Sequence, residues 1–172
     1  MPAKTKKNGA QEDLGNWLKK AEKIVLAGIG NPIRMDDFVG VKILQDLNIR
    51  DTAKIFLIEC ETVPESFIQQ IVEFNPTHIL LMDAALLGLT PGDWRLVEPK
   101  SLLDSPAYSS HLLPLKIFCE YLSKTTKAKI SLLLIQPQKT DFGEGLSPEI
   151  NASAKKIAEI LQESLSRIEC SS

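Results

Sequence analysis

Short apolar runs alternate with helical patterns along most of this chain. The runs that predict buried strands are bounded by turn residues and cover Ile24–Gly28, Lys54–Cys60, His78–Asp83 and Lys129–Gln136. Continuous apolar runs of this kind are typical of parallel strands that are covered on both faces. The shorter segment Trp94–Val97, which follows a Thr-Pro-Gly-Asp turn, predicts an antiparallel edge strand or a hairpin arm.

Helical spacing of apolar residues fills the segments between these strands. The predicted helices cover Gln11–Lys20, Phe38–Leu47, Pro64–Phe74, Leu112–Leu122 and Ser147–Arg167, the last with Ser147 as N-cap and Pro148 as its first residue. This alternation predicts an α/β fold, a three-layer α/β/α sandwich around a mostly parallel twisted sheet of about five strands. No linker or repeat divides the chain, so residues 1–172 are expected to form a single domain, with residues 1–10 flexible.

Composition excludes several classes of partner. The chain has 20 basic and 22 acidic residues and a net charge of -2, which gives no basic field for nucleic acid. Its three cysteines are widely spaced and contain no C-x-x-C pair, so reduced thiols are expected rather than disulfides or a zinc ribbon. Neither a secretory signal nor an apolar run of about 18 residues occurs. We therefore expect a cytoplasmic protein without membrane insertion, and the lack of a long apolar seam favours a monomer.

The most informative segment is the glycine-rich turn GIGNPIRMDDFVG, residues 28–40, directly after the first apolar run. It is not a dinucleotide fingerprint, because the third glycine would fall at Ile33 and the acids that follow would repel a pyrophosphate. Asp36 and Asp37 precede a predicted helix, where an acid can simply cap the helix or interact with its dipole. Since two neighbours need not both cap, we assign Asp36 to structure and Asp37 to function.

Two further residues are placed to join Asp37. Asp83 ends the third apolar run, and the carboxyl ends of parallel strands meet at one edge of a sheet. The alternative for Asp83 is a hydrogen bond to the amides of the following turn. His111 stands just before a predicted helix, whose positive end would help to keep the imidazole neutral and able to bind metal. The alternative for His111 is a capping or surface residue, while His78, at the other end of the third strand, is expected to be structural.

Asp37, Asp83 and His111 together would supply two carboxylates and one imidazole. This incomplete ligand set suits nickel, zinc, iron or cobalt and leaves positions for water or for groups of another molecule. No H-E-x-x-H or G-x-S-x-G motif occurs, and no cysteine has the local context of a nucleophile. Serine or cysteine catalysis is therefore not expected.

Several ordered motifs resemble those of the nickel-iron hydrogenase maturation endopeptidases. They are GIGNPIRMDDFVG at residues 28–40, ETVPESF from Glu61, LLMDAALLGLTPGDWRL from Leu80, SSHLLPL from Ser109 and IQP at Ile135. The spacing of TPGDWRLVEP and the final IQP look most like the hydrogenase 3 subgroup. The sequence departs from the family pattern at Phe38, where glycine is frequent, and at Asp37, where relatives can carry glutamate.

The resemblance implies an endopeptidase that removes the C-terminal extension of the hydrogenase large-subunit precursor after nickel insertion. In that family the nickel arrives with the substrate and no organic cofactor is needed. The family's three metal-contacting positions fall on Asp37, Asp83 and His111. Two alternatives stay open at this point: a non-catalytic nickel-binding chaperone with the same ligands, and a structural partner of hydrogenase assembly that docks through Trp17 and the C-terminal helix.

Overall fold

The four apolar runs and the short segment Trp94–Val97 form five strands, in a computed structural model that describes residues 7–104 and 112–171. The strands are Ile24–Ile29 (β1), Ile55–Glu61 (β2), His78–Ala84 (β3), Trp94–Val97 (β4) and Lys129–Ile135 (β5). The α-helices are Lys7–Lys19 (α1), Val39–Asp46 (α2), Ile68–Phe74 (α3), Ser101–Asp104 (α4), Leu113–Thr125 (α5) and Pro148–Cys170 (α6). Over these two described ranges, no helix is long and apolar enough to span a lipid bilayer.

The strands form one sheet in the order β2-β1-β3-β5-β4. Four of them are parallel, and β4 runs antiparallel to β5 at the edge, from Trp94 opposite Ile135 to Val97 opposite Leu132. The mostly parallel sheet and its antiparallel edge strand are therefore confirmed. From β1 the chain moves outwards to β2 and then returns past β1 to β3. Connections thus leave the neighbours β1 and β3 in opposite directions, which opens a crevice between their carboxyl ends.

Helices cover both faces of the sheet because side chains alternate along each strand. On one face, Leu26 and Leu80 pack in a core with buried residues of α1, α2 and α6. On the other face, Ala27 and Leu81 pack with buried residues of α3 and α5. The predicted three-layer α/β/α sandwich is confirmed.

Helix starts differ from the prediction at three places. Pro64–Phe67 forms a 3-10 turn in a segment that was predicted as the start of a single helix, and Met35–Phe38 forms a 3-10 turn just ahead of the helix predicted from Phe38. Neither turn has a side-chain cap, and Pro64 is tolerated there because the first turn leaves backbone N–H groups unpaired. Helix α1 begins at Lys7, so residues 7–10, which we expected to be flexible, are helical; residues 1–6 lie outside the described part of the chain.

Core packing accounts for the residues that one alternative used as a docking surface. The Trp17 ring lies edge-on to the His78 ring with centroids 4.9 Å apart, and it packs against the core. Helix α6 buries a stripe from Ile150 to Ile168 against the sheet and α2. Neither feature calls for an assembly partner.

Candidate active site

The candidate site lies at the carboxyl ends of β1 and β3, where the chain reverses its direction across the sheet. Asp36 and Asp37 lie in the 3-10 turn after β1, and Asp83 is the next-to-last residue of β3. These two strands are hydrogen-bonded neighbours, with Gly28 opposite Met82. Sheet topology therefore brings an acidic turn and an acidic strand end to one crevice.

Glycines allow helix α2 to begin directly against these strand ends. A Cβ atom on Gly40 would collide with the carbonyl oxygens of Met82 and Ile29, and one on Gly28 would lie 2.5 Å from the Gly40 oxygen. Only hydrogen side chains permit so close an approach of a helix to strand backbone. The acidic turn, which directly precedes α2, is consequently held close to the sheet.

Asp36 is a buried anchor. Its side chain is 0% exposed, and its Oδ2 accepts hydrogen bonds from the backbone N–H groups of Gln138 and Lys139 at 3.0 and 2.8 Å. Ser147 donates its N–H to Oδ1 at 2.7 Å and its hydroxyl to Oδ2 at 2.8 Å. A buried carboxylate is stable only when such donors replace its water. The structural assignment of Asp36 is confirmed, but it joins two loops and does not cap its own helix.

The same contact corrects the prediction for Ser147. This serine occupies the N-cap position of α6, as predicted, yet its side chain makes no hydrogen bond to the helix. The hydroxyl is donated to Asp36 instead. The β5–α6 loop is therefore tied to the acidic turn.

Asp37 is half-buried and differs from its neighbour in its contacts. Its Oδ2 accepts the backbone N–H of Asn31 at 2.9 Å, and the Asn31 side-chain oxygen accepts the N–H of Ile33 at 3.1 Å. These short-range bonds hold the β1–α2 loop around the carboxylate. Among the described residues, Asp37 is thus oriented by its own loop, whereas the bonds of Asp36 cross to another loop.

Asp83 is half-buried, and its environment disfavours the charged form. Burial raises the pKa of this carboxyl well above its usual value, the negative charge of Asp37 raises it further, and the N–H of Ala84 opposes the shift. That N–H donates to Oδ1 at 2.8 Å, which is the backbone contact offered as the alternative role. Like charges in a desolvated crevice repel each other, and a bound cation would relieve the repulsion.

The third predicted ligand, His111, lies outside the described residues. Helix α5 begins at Leu113, with Pro114 in its first turn. Within residues 7–104 and 112–171, no group of three or more His, Cys, Asp or Glu side chains is arranged to hold a metal. The described part of the chain thus contributes the carboxylates of Asp37 and Asp83.

Gln136 is a site-forming residue that was predicted as the end of a strand and as part of the IQP motif, without a role in the site. Its side chain is buried, and its Oε1 accepts the N–H of Leu87 at 2.6 Å and of Leu89 at 3.4 Å. Its Nε2 donates to the carbonyl oxygen of Pro137 at 3.1 Å. Gln136 therefore shapes the loop after Asp83. A polar residue at the end of an otherwise apolar strand was the signal in the sequence.

Two buried cysteines and His78 have structural rather than catalytic surroundings. Burial raises the pKa of both the Cys60 and the Cys119 thiol to about 12, so neither is an activated nucleophile. His78 is buried at the start of β3, with Nδ1 2.9 Å from the hydroxyl of Thr77, as expected for a structural residue. A cavity of about 350 Å³ beside Cys119 is lined by Ala128 and Ile130, near the amino end of β5 and away from the acids.

Comparison with known proteins identifies the family. The family model described as HycI, hydrogenase maturation protease, matches residues 41–164. A protein of Methanocaldococcus jannaschii assigned to the hydrogenase maturation proteases is 34% identical over 89% of this chain and 94% of its own. The chain belongs to the hydrogenase maturation protease family. It is accordingly a peptidase, which confirms the class expected from the motifs.

Two further members show how far the likeness extends. The crystal structure of the hydrogenase maturation protease HycI from Thermococcus kodakarensis has a TM-score of 0.83 and 32% identity, and the match covers 90% of this chain and 99% of that one. The hydrogenase 3 maturation protease of Escherichia coli K12 is 26% identical over 80% of this chain and 88% of its own. Fold and sequence therefore agree on this family of maturation proteases.

Proposed function

We propose that this maturation protease removes the C-terminal extension of a nickel-iron hydrogenase large-subunit precursor, in the cytoplasm, after nickel insertion. Nickel is part of the substrate in this proposal, and Asp37, Asp83 and His111 contact it. The chain needs no organic cofactor. The observation that carries the proposal is the approach of Asp37 and Asp83 at the crevice between β1 and β3, in a member of the maturation proteases.

The electrostatics of this crevice favour a cationic substrate group. The charge of Asp37 raises the pKa of Asp83, so the two carboxylates lie close enough to repel. A divalent cation that enters with the precursor would replace this repulsion with attraction. Carboxylate oxygens and an imidazole nitrogen are accepted ligands of nickel, although other divalent metals share them.

In the proposed mechanism, the protease uses the nickel to position the bond that is cut. Asp37, held by the Asn31 amide, and Asp83, held by the Ala84 amide, would orient the metal-bearing segment of the precursor. The scissile carbonyl would then be polarised, or a water molecule activated, by the ion. A carboxylate acting as general base is the other route to the attacking water. Precursors without nickel would be left uncut because they lack the group that docks.

Mass spectrometry of the precursor tests this proposal directly. The large-subunit precursor of a nickel-iron hydrogenase from the same organism is incubated, nickel-loaded or nickel-free, with the wild type, Asp37→Asn, Asp83→Asn or His111→Ala. We expect a short C-terminal peptide only from the nickel-loaded precursor and the wild type. Loss of a group that contacts the reacting centre is expected to slow cleavage by about 10²-fold to 10⁴-fold.

The controls separate the site from the fold. Glu73→Gln replaces an acid on α3, outside the crevice, and is expected to cleave like the wild type. Circular dichroism is expected to give the same spectrum for every variant. Full cleavage by Asp37→Asn would contradict the proposed roles. Transfer of nickel without release of any peptide would favour the chaperone alternative.

A further inference from the structure

Exposed large apolar side chains fall into two groups in the described part of the chain. The first group lies on the loops that follow β1, β2, β3 and β5, and comprises Ile33, Val63, Leu86 and Phe142. The second lies along α5 at intervals of four residues, and comprises Leu113, Ile117 and Tyr121. Loops after parallel strands gather at the carboxyl edge of the sheet, so the first group surrounds the crevice that holds the two acids.

Within the first group, Ile33 and Phe142 lie on two loops that a β-bridge joins. Arg34 and Gly143 form a parallel β-bridge, in which the Gly143 N–H donates to the Ile33 oxygen at 2.8 Å and the Met35 N–H donates to the Gly143 oxygen at 3.1 Å. Ile33 and Phe142 each directly precede a residue of this bridge, so the backbones that carry them are brought together. Ile33 is 44% exposed and Phe142 is 84% exposed. We call these two side chains the apolar pair.

The loop that carries Phe142 is fastened at several points. The Asp36 carboxylate accepts the N–H groups of Gln138 and Lys139, and the Lys139 oxygen accepts the N–H of Asp36 at 3.0 Å. Further along, the Arg34 side chain donates to the Thr140 oxygen at 3.1 Å. Phe142 is therefore presented to solvent by an anchored loop. An anchored loop of this kind loses little backbone entropy when a partner binds.

We propose that the apolar pair is the docking site for an apolar side chain of the hydrogenase precursor, in the segment next to the bond that is cut. This inference rests on the proposed function. Ile33 lies four residues before Asp37 in the same loop, and the bridge brings the Phe142 loop beside it, so the apolar pair is close in the chain to the acidic turn. Exposed aromatic residues beside a site are typical anchors of protein interfaces, where a few side chains supply most of the binding energy.

The apolar stripe on α5 offers a matched control. Tyr121 is 51% exposed, and it lies on the third turn of a helix that runs away from the carboxyl edge. Its removal takes away an exposed aromatic ring of similar size without touching the loops of the crevice. If general surface apolarity attracted the precursor, Tyr121 and Phe142 would contribute alike.

Steady-state cleavage of the nickel-loaded precursor tests the docking site. Phe142→Ser is expected to raise KM about tenfold or more, which corresponds to loss of an interface anchor, and to leave kcat within about twofold. Ile33→Ser is expected to raise KM less, because less of that side chain is exposed. Phe142→Leu should restore most of the affinity, and Tyr121→Ser should match the wild type. Because Phe142 is largely exposed, thermal unfolding of its variants should be unchanged.

Each contrary result has a distinct meaning. An unchanged KM for Phe142→Ser, with a wild type that cleaves, overturns the docking site and leaves the proposed function standing. If the wild type does not cleave, the proposed function fails. Calorimetric titration of the precursor into wild type and Phe142→Ser then tests the docking site by itself. Equal affinities of the two proteins for the precursor would overturn the docking site. Conversion of a wild-type dimer to a monomer by Phe142→Ser, with KM unchanged, would also overturn the docking site. The apolar pair would then be a contact between two copies of the chain.

Discussion

The two edges of the sheet differ in the charge and the exposure of the side chains that they hold. At the amino edge, the hydroxyl of Thr77 accepts the N–H groups of Glu22 and Lys23 and donates to the Lys23 oxygen, while Trp17 covers His78. At the carboxyl edge, two acids lie close enough to repel and the apolar pair is exposed. The amino edge is built for stability. The carboxyl edge is less stable because it holds acids that repel each other and exposed apolar side chains, which a bound substrate can contact.

Backbone conformation shows the same contrast. Met35 and Glu61, which follow β1 and end β2 at the carboxyl edge, have φ angles of +46° and +50°. Such left-handed conformations cost L-residues other than glycine about 1–2 kcal/mol each. Asn75 has a similar φ of +53° but ends helix α3, where asparagine is a usual C-terminal residue. Strain without a capping role is thus found beside the candidate site.

The largest expected effect on stability separates the adjacent acids Asp36 and Asp37. Asp36→Asn is expected to lower the free energy of unfolding by about 2–4 kcal/mol, measured by urea denaturation. Both oxygens of Asp36 accept backbone N–H groups, so either orientation of an amide would place its NH₂ against a donor. Asp37→Asn is the matched control, because Asp37 accepts one such backbone N–H. It should change the free energy of unfolding by less than about 1 kcal/mol. Equal losses for the two variants would contradict the division of roles.

A smaller effect is expected from filling the contact between α2 and the strand ends. Gly40→Ala should lower the free energy of unfolding by about 1–3 kcal/mol, because the new methyl group collides with strand carbonyls. It should also slow cleavage of the nickel-loaded precursor, since the turn that carries Asp37 must shift. Gly15→Ala in α1 has open space around it and should instead raise stability by about 0.5–1 kcal/mol. Unimpaired stability and cleavage in Gly40→Ala would show that the close approach is dispensable.

The smallest expected effect is a pH dependence from the amino edge. Burial lowers the pKa of His78, as do the charges of Lys129 and Lys20, while Glu22 opposes the shift. The folded protein therefore holds His78 neutral at a pH where the unfolded chain binds a proton. Its contribution to stability is complete above the ordinary pKa of about 6.5 and is lost as pH falls below it.

Comparing wild type with His78→Phe isolates this contribution from the other titrating groups. The free energy of unfolding is measured for both proteins between about pH 7.5 and 5.5, and the wild type should lose more of it than the variant as pH falls. A difference that stays constant over this interval would mean that the histidine does not titrate on unfolding.

Much of the fold followed from local pattern. Four buried runs predicted β1, β2, β3 and β5, because continuous apolar stretches between turns are readily distinguished from amphipathic helices. The antiparallel direction of β4 was anticipated from its short length and the turn before it. Helix starts were less predictable: the 3-10 turn ahead of α2 contains Asp36, whose hydrogen-bond partners lie more than 100 residues away and are not encoded in local spacing.

Local sequence pattern also predicted part of the candidate site. Asp37 and Asp83 stand after apolar runs, and the rule for the edges of parallel sheets placed them together. The hydroxyl of Ser147 and the side chain of Gln136 were not predicted to serve the site, because their partners are far away in sequence. Short-range preferences predicted that Ser147 caps helix α6 and that Gln136 ends a strand. The long-range contact between Ser147 and Asp36 replaced the predicted cap.

The sequence by itself determined the elements, the order of strands and helices, the acids at the strand ends and the family, since each of these rests on local composition or on motifs. Only the tertiary structure decided that Asp36 anchors the β5–α6 loop, that Asp37 raises the pKa of Asp83, and that Ile33 and Phe142 form an exposed pair. These features join residues from distant parts of the chain, and their energies depend on burial and separation, which exist only after the chain has folded.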